Sequence, residues 1–161
     1  MKYLLLAVIL LFSPGPVAAK QTVDYVLVKK GERQMFLIKD GKIIRNYKIS
    51  LGKNPEGAKE REGDKRTPEG LYLLDYKLEE SMYYKAIHIS YPNAKDLENA
   101  RRKNLDPGGK IMIHGQLNGL GDRAAITQQY DWTSGCIAVT NEEMDQIWQL
   151  VEDYTPIRIE K

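Results

Sequence analysis

Apolar and polar positions alternate along much of the first half of the chain, the pattern of strands that bury one face. Val23, Tyr25 and Leu27 alternate with more polar neighbours until Gly31 breaks the run. Segments 34–39 and 42–50 are predicted arms of a hairpin about Asp40-Gly41, a turn pair whose glycine tolerates positive φ. Residues 54–70 carry Pro55, Gly57, Gly63, Pro68, Gly70 and many charges, and read as a loop. Segments 71–76 and 86–90 read as further strands. A short helix is expected over 94–103, ended by Asp106-Pro107-Gly108-Gly109, and then a strand over 110–114 with Ile111 and Ile113 facing one way.

Near the C-terminus the period changes. Thr140-Asn141-Glu142-Glu143 is a capping box, and Met144, Ile147, Trp148 and Val151 follow on one helical face. That face is core, and packing suits Trp148 better than a cofactor role. Pro156 is expected to stop the helix, leaving 157–160 for a last strand. The whole predicts one mainly β domain, a sandwich or barrel, with one or two helices packed on it.

The first residues change the picture. Met1 and Lys2 precede an apolar run over 3–12, and small residues follow at Val17 and Ala19. These are the parts of a secretory signal peptide, expected over 1–19 with cleavage ahead of Lys20. The run is about half of what a membrane-spanning helix needs, which disfavours a retained anchor. Residues 20–161 are then expected to form a single exported domain without a membrane span, placed in the periplasm. The net charge is +2, with basic and acidic residues interspersed, which points away from a nucleic-acid partner.

The chain has one cysteine and two histidines. A lone thiol in an oxidising compartment is inert and buried, dimer-forming, or chemically employed. As a nucleophile Cys136 would need a nearby base. His114 closes an apolar strand ahead of Gly115 and suits that role. His88, inside Ala86-Ile87-His88-Ile89, suits a hydrogen-bonded strand position instead. One cysteine and two histidines make no convincing metal set, so no metal or other cofactor is expected.

Asp131-Trp132-Thr133-Ser134-Gly135-Cys136-Ile137-Ala138-Val139, with Ile111-Met112-Ile113-His114-Gly115 upstream, resembles the L,D-transpeptidase (YkuD-type) family of peptidoglycan enzymes. Three further stretches carry the likeness: Gly63-Asp64-Lys65-Arg66-Thr67-Pro68-Glu69-Gly70, Ile89-Ser90-Tyr91-Pro92-Asn93 and Pro107-Gly108-Gly109. The resemblance implies that Cys136 attacks a stem-peptide carbonyl, that His114 takes its proton, and that the Gly115 carbonyl holds the imidazole. It also implies a tight turn at Gly135, oxyanion donors among the amides around Gly135 and Cys136, and positioning of that turn by the Thr133 hydroxyl. Asp131 and Trp132 would line the pocket, although packing suits Trp132 equally. Ser134 and Ala138 replace a histidine and an arginine or asparagine common in the family, departures that leave His114 and Cys136 in place and bear on the acceptor side and the oxyanion environment. Arg123 is the first candidate to bind a substrate carboxylate and Arg66 the second; a solvated surface role suits each as well. The implied partners are peptidoglycan stem peptides, with another stem, a wall-linked protein or water as acceptor.

Overall fold

The computed structural model describes residues 21–161, so the predicted leader over 1–19 lies outside the described residues. Eight strands form one mixed sheet: β1 Tyr25–Lys29, β2 Gln34–Lys39, β3 Lys42–Lys48, β4 Gly70–Ser81, β5 Tyr84–Ile89, β6 Met112–His114, β7 Ile137–Ala138 and β8 Thr155–Glu160. Their spatial order is β3-β2-β1-β8-β4-β5-β6-β7. The pairs β1–β8 and β6–β7 are parallel and the rest antiparallel. The expected β2–β3 hairpin is present, and both Asp40 and Gly41 take positive φ.

This is a mainly β fold in which the sheet curls into a half-barrel rather than stacking as two layers. The two ends of the sheet meet: Ser50, just after β3, bridges Ala138 of β7, and Gly52 bridges Thr133. Val26, Val28, Leu37, Leu74, Ile87, Ile113, Ile137 and Ile157 fill the concave side, together with Met144, Ile147 and Val151 from α3 Asn141–Leu150. Packing α3 against β5 closes this core.

Three details differ from the alternation read along the chain. In β1 the buried side chains are Val26 and Val28, whereas Tyr25 is exposed and Leu27 only half-buried. The strand is apolar on both faces, so its period does not fix which face turns inward. The α3 helix ends at Leu150, with Val151 already extended, well before Pro156; that proline sits inside β8, paired with Leu73. Finally, β8 is an interior strand between β1 and β4 instead of a terminal addition. The capping box of α3 forms in full, with Thr140 accepting from the Glu143 N–H and Glu143 accepting from the Thr140 N–H. Helix α1, Ala94–Arg102, is capped in the same way by Asn93 and Asp96. A 3-10 turn, Gly121–Arg123, and the single turn α2, Ala124–Thr127, lie in the connection between β6 and β7.

Candidate active site

The seam where the sheet ends meet holds the Thr133–Cys136 turn. Thr133 is buried, and its main chain is tied to Leu51 and Lys53. Its hydroxyl donates to the Cys136 carbonyl at 2.8 Å and accepts from the Gly135 N–H at 3.1 Å. Gly135 has φ +133°, and a Cβ there would lie 2.7 Å from the Arg66 carbonyl oxygen. Only glycine fits that conformation and that approach. Because the Gly135 N–H is spent on Thr133, it is not an open oxyanion donor, contrary to expectation. The Cys136 N–H donates to no protein group among the described residues and is the available one.

His114 ends β6 opposite Ala138 of β7, and Ile113 lies opposite Ile137. In parallel register the neighbour of Cys136 is Met112, so Cys136 and His114 lie diagonally on one face of the ladder while Ile113 and Ile137 face the core. His114 is buried, and its Nδ1 lies 2.7 Å from the Gly115 carbonyl oxygen. A carbonyl only accepts, so Nδ1 carries the hydrogen and Nε2 keeps its lone pair. Burial lowers the His114 pKa to about 4 against a smaller opposing effect of the Gly115 carbonyl. Gly115 itself leaves no room for a side chain, since a Cβ would meet Asn141 Oδ1 at 2.6 Å.

Cys136 is partly accessible at a cleft of about 300 Å³ that Lys59, Glu62, Lys110 and Ser134 also line. Its thiol donates to the Lys110 carbonyl at 3.7 Å. Burial pushes the thiol pKa up, and the Met112 main chain and the charge of Lys59 pull it partly back. The resting pair is therefore a neutral thiol and a neutral imidazole.

The charged loop ahead of β4 is built around two buried ions. Asp64 accepts from the N–H groups of Glu60, Arg61 and Arg66 and from Lys59 Nζ at 2.9 Å. Burial alone would raise its pKa, but these donors together hold it below the ordinary value. Lys30 Nζ binds the carbonyls of Gly57 and Thr67 and the Glu69 carboxylate, each within 2.9 Å. Tyr91 holds the Pro107 carbonyl through its hydroxyl, fixing the approach to β6.

The remaining sequence candidates divide. Ser134 lies at the cleft, exposed. Arg123 is exposed at the end of the 3-10 turn and does not line the cleft; Arg66 is half-buried with its guanidinium beside Gly57. Asp131 is committed to structure: Arg33 pairs with it at 2.7 Å and the Leu51 N–H donates to it. Trp132 stands edge-on to His114 with ring centres 5.7 Å apart. His88 pairs with Asp75 at 2.7 Å and stacks on Tyr76, the held strand position expected of it. Reading the sequence missed Lys59, one basic residue in a charged loop, and Tyr83, whose ring lies 4.5 Å from His114. No periodicity marks either of them.

Known proteins give the same outline. The family model described as L,D-transpeptidase catalytic domain (YkuD) matches residues 23–159. YafK of Escherichia coli, named provisionally as an L,D-transpeptidase, is 35% identical over 133 residues, covering 79% of this chain and 46% of YafK. The helical cell shape determining protein Pgp2 from Campylobacter jejuni superposes with a TM-score of 0.66 at 29% identity, over 88% of this chain and 48% of Pgp2. An L,D-transpeptidase of Enterococcus faecium shares the fold at 17% identity and a TM-score of 0.56, over 87% of this chain and 50% of its own. The chain thus spans about half the length of these relatives. By this match over nearly all of the described residues, the chain belongs to the L,D-transpeptidase catalytic domain (YkuD) family.

Proposed function

We propose that the protein is a periplasmic L,D-transpeptidase that uses Cys136 to transfer acyl groups of peptidoglycan stem peptides. The observation that carries this reading is that Cys136, at an open cleft, shares one face of the β6–β7 ladder with His114, a histidine whose tautomer is fixed by the Gly115 carbonyl. Because the resting pair is neutral, attack and proton transfer go together. The thiol proton passes to His114 Nε2 while the sulfur attacks the carbonyl between the diamino acid and the terminal D-Ala of a tetrapeptide stem. The oxyanion meets the Cys136 N–H, a kind of donor worth about 3 kcal/mol of barrier. The tetrahedral species collapses by breaking the C–N bond, His114 returns its proton to the leaving amine, and a thioester and free D-Ala result. An acceptor amine then attacks the thioester, gives its proton to His114 and regenerates the thiol.

Incubating residues 20–161 with tetrapeptide muropeptides beside Cys136→Ala tests the reading. Cross-linked dimers formed only by the unmutated protein are the expected result. Tripeptides without dimers would replace it with a carboxypeptidase in which water is the acceptor. No product, even with added amines or a wall-linked protein, would refute acyl transfer on stem peptides and leave a wall-binding module.

A further inference from the structure

Trp132 carries a group that neither packing nor the proposed chemistry uses. Its indole N–H is buried and has no acceptor among the described residues. A buried donor without a partner is uncommon in a folded chain and calls for an explanation. The ring is not free to drift, because its neighbours on both sides are fastened: Asp131 to Arg33 and Leu51, Thr133 to Leu51 and Lys53.

The position of the ring says which part of a substrate would meet it. Along the segment that leads into β6 the order is Lys110, Met112, His114, and Cys136 stands beside Met112. The charged cleft lies at the Lys110 end, whereas Trp132 and Tyr83 pack around His114 at the other. His114 must hand its proton to the leaving amine, so the residue that departs lies on the Trp132 side. In a stem peptide that residue ends in a carboxylate one carbon from the amine. An amine attacking the thioester passes the same imidazole and meets the same donor.

We infer that Trp132 is a specificity residue whose indole N–H binds the α-carboxylate of the amino acid leaving from, or entering at, the Cys136 thioester. This rests on the proposed transfer reaction. Tyr83, at the β4–β5 hairpin tip, lies against both His114 and Trp132. The main chain of that tip is pinned by Asn118 to Ser81, Met82 and Tyr84, so the assignment requires the Tyr83 side chain, and not the hairpin, to move aside when substrate enters.

The test compares release of the terminal residue from a tetrapeptide with a free C-terminal carboxylate and from its C-terminal amide. Unmutated protein should prefer the free acid in kcat/KM. Trp132→Phe, which keeps a ring and removes the N–H, should cut that preference about tenfold, as expected for one charge-assisted hydrogen bond. Tyr83→Ala should keep it. A purely structural role for Trp132 would slow both peptides equally and leave the ratio intact, which would overturn the inference, as would loss of the preference in Tyr83→Ala alone. Binding of both peptides to Cys136→Ala, with and without Trp132→Phe, separates the two failures. Peptides that bind with an unchanged acid-to-amide ratio in the double variant overturn this assignment alone; peptides that do not bind at all overturn the transfer reading with it.

Discussion

Acid should destabilise this protein through His114 by an amount that follows from its burial. In the folded chain the imidazole pKa is lowered to about 4 from an ordinary 6.5. The unfolded chain therefore binds a proton between those two values that the folded chain does not. Stability must fall as pH drops through that window, since the unfolded state takes up more protons. The contribution is complete above pH 6.5 and is lost as pH approaches 4. At about 1.4 kcal/mol for each pH unit, the loss amounts to about 3 kcal/mol. Carboxylates begin to titrate at the low end, so the comparison is with His114→Gln, which keeps them and removes the imidazole. Urea denaturation of the described domain from pH 8 to pH 4 should show the unmutated curve falling about 3 kcal/mol further than the variant's. Parallel curves, or an NMR titration placing His114 near 6.5, would show that the imidazole is not held neutral by burial, and the neutral resting pair would go with it.

The other expectations concern the frame around Cys136. Thr133→Val should cost about 2 kcal/mol in urea denaturation, because two hydrogen bonds across the turn are lost together, and should lower kcat; Thr133→Ser should restore both. Gly135→Ala should cost about 2 kcal/mol or more, since its φ and the Arg66 carbonyl both oppose a Cβ; denaturation measures it, and a near-neutral variant would contradict the geometry. Asp64→Asn puts an amide against three main-chain N–H groups and strips the buried Lys59 of its carboxylate, leaving it the Arg61 carbonyl. A loss of about 3 kcal/mol at pH 7 is expected. Above the ordinary carboxylate range the Asp64 contribution is complete, and it is lost as pH falls through the lowered folded value, so the variant's deficit should shrink in strong acid.

What the sequence revealed was what short-range rules control. The Asp40-Gly41 hairpin and the Thr140–Glu143 capping box are set by a few neighbouring residues, and both form. The motifs around His114 and Cys136 were legible as a family resemblance, which the match over residues 23–159 bears out, because the residues that carry it stand in short runs. The inward face of β1 was not, because Val26 and Val28 alternate with side chains that are also apolar. Nor was the central place of β8, which depends on parallel pairing with β1 at the far end of the chain. Lys59 and Tyr83 reach the site only through the loop ahead of β4 and the β4–β5 tip, so nothing local marked them. The Asp131 carboxylate suited a pocket in sequence, yet its partner Arg33 lies almost a hundred positions away and binds it into the wall.

The location of the site at the closing seam ties its geometry to the whole fold. Cys136 follows a turn anchored to Leu51 and Lys53, with Gly135 set close against the Arg66 carbonyl, and leads into β7, the end strand, which pairs with β6. These segments are brought together only when the sheet has curled far enough for Ser50 to meet Ala138. A sheet that failed to close would leave Thr133 without its main-chain partners, and with them the turn that aims the Cys136 N–H. The histidine is less exposed to that failure, because its tautomer is set by the next residue in the chain. On the proposed mechanism, partial opening of the seam should therefore misplace the Cys136 N–H before it disturbs the His114 tautomer. It follows that a variant weakened at the Ser50–Ala138 bridge should lose transition-state stabilisation in kcat while the Nδ1–H tautomer of His114, read by NMR, stays as it was.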